Sequence, residues 1–185
     1  MNEVINAIKS RRSVRAYKSD ALGIDVLQPI VEAGYYAPTG MGAQQWHFSV
    51  IQDRALIDEV NEKAKKKMAA IPVDWIQNMA KAPGLDITHK APVLIIASAK
   101  KGYVTGAEDC TAALENMLIA AESLGIGSCW MGFVSFIFDD AEMMKRLGVP
   151  EGYEGKQAAV FGYQDGEKNA APPRSPDVVT YVGAF

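Results

Sequence analysis

The stretch Glu108–Gly132, EDCTAALENMLIAAESLGIGSCWMG, decides the fold class. From Glu108 to Leu124 it is rich in Ala, Leu and Met, residues that lose little on entering a helix. Gly125 then ends the helix, because glycine takes the left-handed capping conformation without a Cβ clash. The run Gly125-Ile126-Gly127-Ser128-Cys129-Trp130 begins like GxGxxG, but Trp occupies the sixth place. The pattern also follows a helix and precedes an apolar segment, the reverse of a dinucleotide-binding turn, which leaves a strand to open a helix. A doubly wound nucleotide-binding sheet is therefore excluded. A P-loop is excluded too, since no GxxxxGK[ST] occurs.

On the N-terminal side, Pro92–Ala99 (PVLIIASA) is a continuous apolar run, as expected of a strand covered on both faces. Trp46–Gln52 reads as the first strand and Arg54–Lys67 as a helix, whose Lys63, Lys65, Lys66 and Lys67 read as a solvated face. Residues 68–90 are less regular. They hold Pro72, Trp75, Met79 and Pro83-Gly84, a composition suited to a mobile flap with apolar anchors. Near the N-terminus, Val4, Ile5 and Ile8 have the spacing of a short amphipathic helix. A second helix after Asp25 directs Val26, Leu27, Ile30 and Val31 to the core and stops at Tyr36-Ala37-Pro38, since the residue before proline is pushed out of helical geometry. Thr39–Ala43 follows as a loop. On the C-terminal side, Ser128–Phe138 reads as a short strand leading into a loop, Asp139 as the cap of a helix ending near Leu147, and Gln157–Tyr163 as a further strand.

Helices thus precede the first strand and long helices separate the later ones. The expectation is an α+β sandwich, a mixed central sheet flanked by helices, with residues 1–185 forming one domain. The tail DGEKNAAPPRSPDVVTYVGAF opens as a proline-rich arm and closes on an apolar VVTYV segment with no obvious place in so short a domain. Exchange of that segment with a second copy of the chain, in a homodimer, is the expectation.

Of the 185 residues, 49% are hydrophobic and 22% charged, a globular balance. The formal net charge of −3 gives no global basic field for nucleic acid. Cys110 and Cys129 form no CxxC pair and sit in apolar surroundings, so both read as small core residues. His47 and His89 lie far apart without ligand-spaced partners, and both read as ordinary strand or loop residues. No GxSxG elbow is present. The opening MNEVINAIKSRR lacks a signal-peptide core, and no apolar run is long enough to span a bilayer. A soluble, cytoplasmic protein is expected.

Positive charge is concentrated locally in Ser10-Arg11-Arg12-Ser13-Val14-Arg15. Guanidinium forks match phosphate oxygens, and a serine hydroxyl adds a short-range donor. In extended geometry Arg11, Ser13 and Arg15 share one face, with Arg12 and Val14 on the other. Two readings stay open on spacing alone: a strip for a long anionic ligand, and a solvated basic helix end favoured by the helix dipole.

Four pieces in order, SRRSVRAY (10–17), YAPTGMGAQQWHF (36–48), LGIGSCWMGF (124–133) and AAPPRSP (170–176), resemble the nitroreductase-like FMN-dependent flavoproteins, at their spacing and over essentially the whole chain. The resemblance implies that Arg11, Arg12 and Ser13 hold the phosphate and ribityl region of FMN. It implies that Arg15 approaches N1 and the C2 carbonyl of the flavin, where it would tune the reduction potential. Pro38, Thr39, Gly40 and Gln44 would belong to a loop reaching the flavin of the other subunit. Trp130, Met131 and Gly132 would give backbone contacts near N5, and Arg174 would close on the phosphate. Two departures stand out: Gly42 replaces a common Asn and Gln45 a common Pro, so an asparagine donor is missing there. Gln44 and Trp46 match, although a loop amide and a core Trp are equally open roles.

No side-chain acid, base or nucleophile need be visible where a flavin carries the chemistry. The implied activity is FMN-dependent oxidation of NADH or NADPH, with ping-pong transfer to a nitroaromatic, a quinone or a similar small oxidant. Trp75, Met79 and Met41 are candidates for apolar walls or for plain packing. Reductive dehalogenation, flavin cleavage and FMN binding without turnover are the alternatives.

Overall fold

A computed structural model describes residues 2–183. Nine of the expected segments are regular elements. Helix α1 (Glu3–Ser10) starts where the Asn2 side chain accepts the Ile5 amide. Helix α2 (Ile24–Tyr35) buries Leu27, Ile30 and Gly34. Strand β1 (Trp46–Ile51) leads to α3 (Arg54–Ala70), capped by the Asp53 carboxylate, which accepts from the Ala55 and Leu56 amides. A short α4 (Asp74–Ala80) precedes β2 (Val93–Lys100). Helix α5 (Gly106–Ser123) is followed by Gly125 at φ +72°, then by β3 (Gly127–Trp130) and a 3-10 helix, Gly132–Ile137. Helix α6 (Ala141–Arg146) and β4 (Tyr153–Gly162) complete the regular part.

The sheet order is β1-β2-β4-β3, and every ladder is antiparallel. Parallel pairing enters through one bridge outside the named strands, Ser13 to Ser128. Strand β2 lies between two neighbours and is buried on both faces. Leu94 and Ile96 face a layer with Ile57, Val60, Met68, Val134 and Ile137, whereas Val93 and Ile95 face Leu27, Ile30, Leu114, Met117 and Leu118. The result is a sheet sandwiched between α3 with the 3-10 helix on one side and α2 with α5 on the other.

Several expectations change in detail. Asp140, not Asp139, caps α6, accepting the Met143 amide at 2.9 Å; Asp139 instead pairs with Lys67. The α3 lysines are not merely solvated, because Lys63 reaches Asp140 at 2.7 Å and Lys65 reaches Glu62 at 3.2 Å. Strand β4 begins at Tyr153, earlier than its apolar half, and stays paired to β2 across a bulge at Ala97/Ser98. Val4 and Ile8 do not enter the core of the protomer: they are 61% and 51% exposed, and only Ala7 of α1 is buried. The arm is exposed from 165 to 183 and forms no strand among the described residues; Ala184 and Phe185 of the tail lie outside them. No helix among the described residues is long and apolar enough to cross a membrane.

Candidate functional site

The basic segment leaves α1 in extended form and is fixed to the sheet by its apolar member. Val14 is buried and its amide donates to the Ser128 carbonyl at 2.9 Å. This approach leaves little room for a side chain at 127: a Cβ there would lie 3.1 Å from the Gly162 carbonyl oxygen and from both Val14 methyls. Ser13 consequently sits beside Ser128 and Cys129, while Arg15 is exposed on the next turn of the chain.

Arg11, Arg12 and Arg15 form no ion pair among the described residues. Arg12 folds back: its Nη1 donates to the Lys9 and Arg11 carbonyls, both at 2.7 Å, so it covers the C-terminal end of α1. Its Nε is buried without a partner, which leaves one donor unaccounted for. Arg12, Ser13 and Arg15 line a polar cavity of about 200 Å³ together with Gln164, Asp165 and Lys168.

Arg15 also lines a second cavity, of about 450 Å³, whose walls include Met79, Ile87, His89, Met131 and Phe133. Cys129, Trp130 and Gly132 complete that lining from the β3 side. One guanidinium thus stands where a polar cavity meets an apolar one. The geometry suits a ligand with an anionic tail and a flat, mostly apolar head.

Electrostatics at the junction favour neutral side chains beneath the cation. Burial pushes the Cys129 thiol up against the pull of Arg15, so it stays protonated rather than nucleophilic. Burial, then the neighbouring thiol, also raises the Tyr17 phenol, which donates to the Val14 carbonyl at 2.7 Å. His89 is held neutral, first by burial and then by Arg15, with Asp86 pulling the other way. Cys110, remote from this site, is pushed up to about 12 by burial.

Other sequence-marked residues lie elsewhere. Pro38, Thr39, Gly40 and Gln44 belong to a loop at the N-terminal end of α5. There the Gly40 amide donates to the Asp109 carboxylate at 3.1 Å and the Tyr103 hydroxyl donates to the Gly40 carbonyl at 2.8 Å. The Gln44 amide donates to the Thr39 hydroxyl at 3.3 Å, and Met41 projects into solvent rather than lining a cavity. The basic segment touches the other end of α5, where the Ser10 hydroxyl donates to Glu122 at 2.6 Å. From Asp109 to Glu122 the helix rises about 20 Å at ~1.5 Å per residue, so one protomer does not bring this loop to its own arginines. Arg174 is exposed on the arm and lines neither cavity.

Leu85, Ile87, His89, Cys129 and Phe133 are the residues lining the apolar cavity that spacing did not mark. Of the apolar anchors, Met79 lines the cavity and Trp75 meets Phe133 in a tilted ring contact, with centroids 6.2 Å apart.

The sequence profile of the nitroreductase family matches residues 8–163. The chain belongs to the nitroreductase family. Its fold is similar to a nitroreductase with bound FMN from Bacteroides fragilis, at a TM-score of 0.91 and 34% identity, covering 99% of this chain and 100% of that one. A second nitroreductase with bound FMN, from Desulfitobacterium hafniense, matches with a TM-score of 0.90 and 29% identity over 99% and 100% of the two chains. An FMN reductase [NAD(P)H] from Bacillus subtilis is 29% identical over 182 residues, 95% of this chain and 71% of that protein.

Proposed function

We propose that this nitroreductase-family chain is an FMN-dependent oxidoreductase that takes electrons from NADH or NADPH and passes them to a small planar oxidant such as a nitroaromatic or a quinone. The observation that carries the reading is Arg15, shared by a polar cavity beside Arg12 and Ser13 and an apolar cavity beside Trp130–Gly132. FMN has that same division: a phosphate tail, and a flat ring that gains negative charge on reduction. When bound, it supplies reversible hydride chemistry.

The chain's own residues have separable tasks. Arg11 and Ser13 are available to bind phosphate, and the unpartnered Arg12 Nε adds a third donor. Arg15 places positive charge at the ring edge where negative charge develops. The Met131 amide is committed to the Ala158 carbonyl at 2.8 Å. Gly132, at the first position of the 3-10 helix, therefore has the amide left for a ligand. Met79, Leu85, Ile87 and Phe133 exclude water from the face on which donor and oxidant alternate.

The dimer belongs to the same proposal. Val4, Ile8 and Tyr36 (79% exposed), with Val178, Val179 and Val182 of the arm, present apolar surface that one protomer does not cover. A second copy would cover it. It would also bring the Pro38–Gln44 loop to the flavin of its neighbour, which the 20 Å separation along α5 denies it within one chain, and Arg174 with the arm. Purified protein should bind FMN, and the doubly substituted Arg11→Gln, Ser13→Ala protein should bind it at least about tenfold more weakly, two charge-assisted contacts being lost. Unchanged affinity in that variant would remove the phosphate assignment.

A further inference from the structure

His89 stands half-buried on the wall of the apolar cavity, with Arg15 and Asp86 as its charged neighbours. The backbone that carries it is unusual. His89 and Lys90 both adopt positive φ, +55° and +56°, without being glycine, a conformation that persists only where surrounding structure over-determines it.

That structure is visible. The Asp86 carboxylate accepts from the Thr88 amide at 2.9 Å and from its hydroxyl at 2.7 Å. Asn61 of α3 accepts the Ile87 amide at 2.8 Å in a buried setting. Arg54 donates to the Ala91 carbonyl at 3.3 Å and pairs with Asp86 at 3.4 Å. The His89 and Ala91 amides close the turn on the Asp86 and Thr88 carbonyls, both at 3.1 Å. Such fastening holds the backbone that carries the imidazole at the cavity wall.

Few other polar side chains reach this cavity. Arg15 stands at its polar end, and the Cys129 thiol lies against Ser13. Trp130 packs with the α2/α5 layer. We propose that His89 is a substrate-binding residue, whose ring N–H donates a hydrogen bond to the carbonyl or nitro oxygen of an uncharged planar oxidant held in the apolar cavity. The inference rests on the flavin reading above and names the feature of the oxidant that this chain recognises: an acceptor oxygen on an otherwise apolar ring. Burial and the nearby Arg15 charge keep the imidazole neutral, with Asp86 opposing. A neutral imidazole carries one donor and adds no second charge to an apolar space. Reduction of a quinone to its hydroquinone then balances as two electrons and one proton delivered as hydride, with a second proton from solvent; the His89 hydrogen bond orients the oxygen that receives it.

The test uses FMN-loaded protein, with 1,4-naphthoquinone and naphthalene as probes and quenching of flavin fluorescence as the readout. His89→Phe should bind naphthoquinone about 3–10-fold more weakly, the worth of one hydrogen bond, with naphthalene unchanged. His89→Gln, which keeps an N–H donor, should recover most of the difference. As a measurement needing no variant, naphthoquinone should move the His89 ring nitrogen resonances in a nitrogen NMR spectrum, and naphthalene should not. Equal losses for both probes, no loss in His89→Phe, or unmoved resonances would overturn the proposal while leaving FMN binding intact. Protein that takes up no FMN would overturn the flavin reading and this inference with it.

Discussion

Replacing Asn61 by Leu probes the anchor of the turn beneath the apolar cavity. Asn61 is 6% exposed, and its Oδ1 accepts the Ile87 amide at 2.8 Å, while its Nδ2 donates to Glu62 at 3.1 Å. Leucine has a similar volume, so the substitution opens little cavity and admits no replacement water. It leaves the Ile87 N–H buried without an acceptor, which costs about 1–3 kcal/mol. At ~2 kcal/mol, the melting temperature of a chain this long falls by roughly 4–8 °C. Urea unfolding at fixed protein concentration reads the global cost. Hydrogen exchange at the Ile87 amide reads whether the loss is local, and exchange there should quicken about 5–150-fold if opening of the turn carries the whole cost. A variant within ~0.5 kcal/mol of wild type, the range of neutral surface changes, with the Ile87 amide still protected, would show that Asn61 does not anchor the turn and shift the anchoring to Arg54 and Asp86.

Three further outcomes follow from the same geometry. Arg15→Ala should lower the reduction potential of bound FMN by tens of millivolts, since about 1.4 kcal/mol corresponds to ~30 mV for a two-electron couple; an unchanged potential in the flavin-loaded variant would separate Arg15 from the ring. Burial alone would raise the Asp86 carboxyl, but the Thr88 and Lys90 bonds and Arg54 outweigh it and hold the group low. Its stabilising effect is therefore complete above the ordinary carboxylate value of about 4 and fades as pH falls through the lower folded value, so Asp86→Asn should flatten the acid limb of a stability–pH curve, and an unaltered limb would contradict this. Ile8→Asp places a charge on the uncovered face of α1; sedimentation should report a shift from dimer to monomer together with weaker FMN retention, and a stable dimer would exclude α1 from the interface.

How far the sequence carried depended on whether the deciding interaction was local. Helix α5 was legible because Ala, Leu and Met run unbroken to Gly125, whose positive φ is a matter of its own backbone. The apolar stripe of α1 was legible as a stripe, but its period says nothing of which surface covers it, and in the protomer Val4 and Ile8 face outward. Asp139 and Asp140 are chemically equivalent caps in adjacent places; Lys67 takes one and the Met143 amide the other. The polar start of β4, Tyr153-Glu154-Gly155-Lys156, carries no alternating pattern and is held as a strand by β2. Within the site, the basic segment announced itself by charge. His89 did not, because its left-handed backbone and its place on the cavity wall come from Asn61, Arg54 and Asp86, residues distant in sequence or unremarkable in type. The 68–90 region, whose composition suits a flap with apolar anchors, contains α4, whose Ile76 is buried, and ends in the fastened 86–91 turn.

If the paired cavities joined at Arg15 hold a working flavin, its reduction and reoxidation are directly visible. An anaerobic titration of the FMN-loaded protein with NADH, and separately with NADPH, addresses it most directly. At least one nicotinamide should bleach the flavin absorption stoichiometrically, and 1,4-naphthoquinone should restore it. Bound FMN that neither nicotinamide reduces would contradict a working flavin.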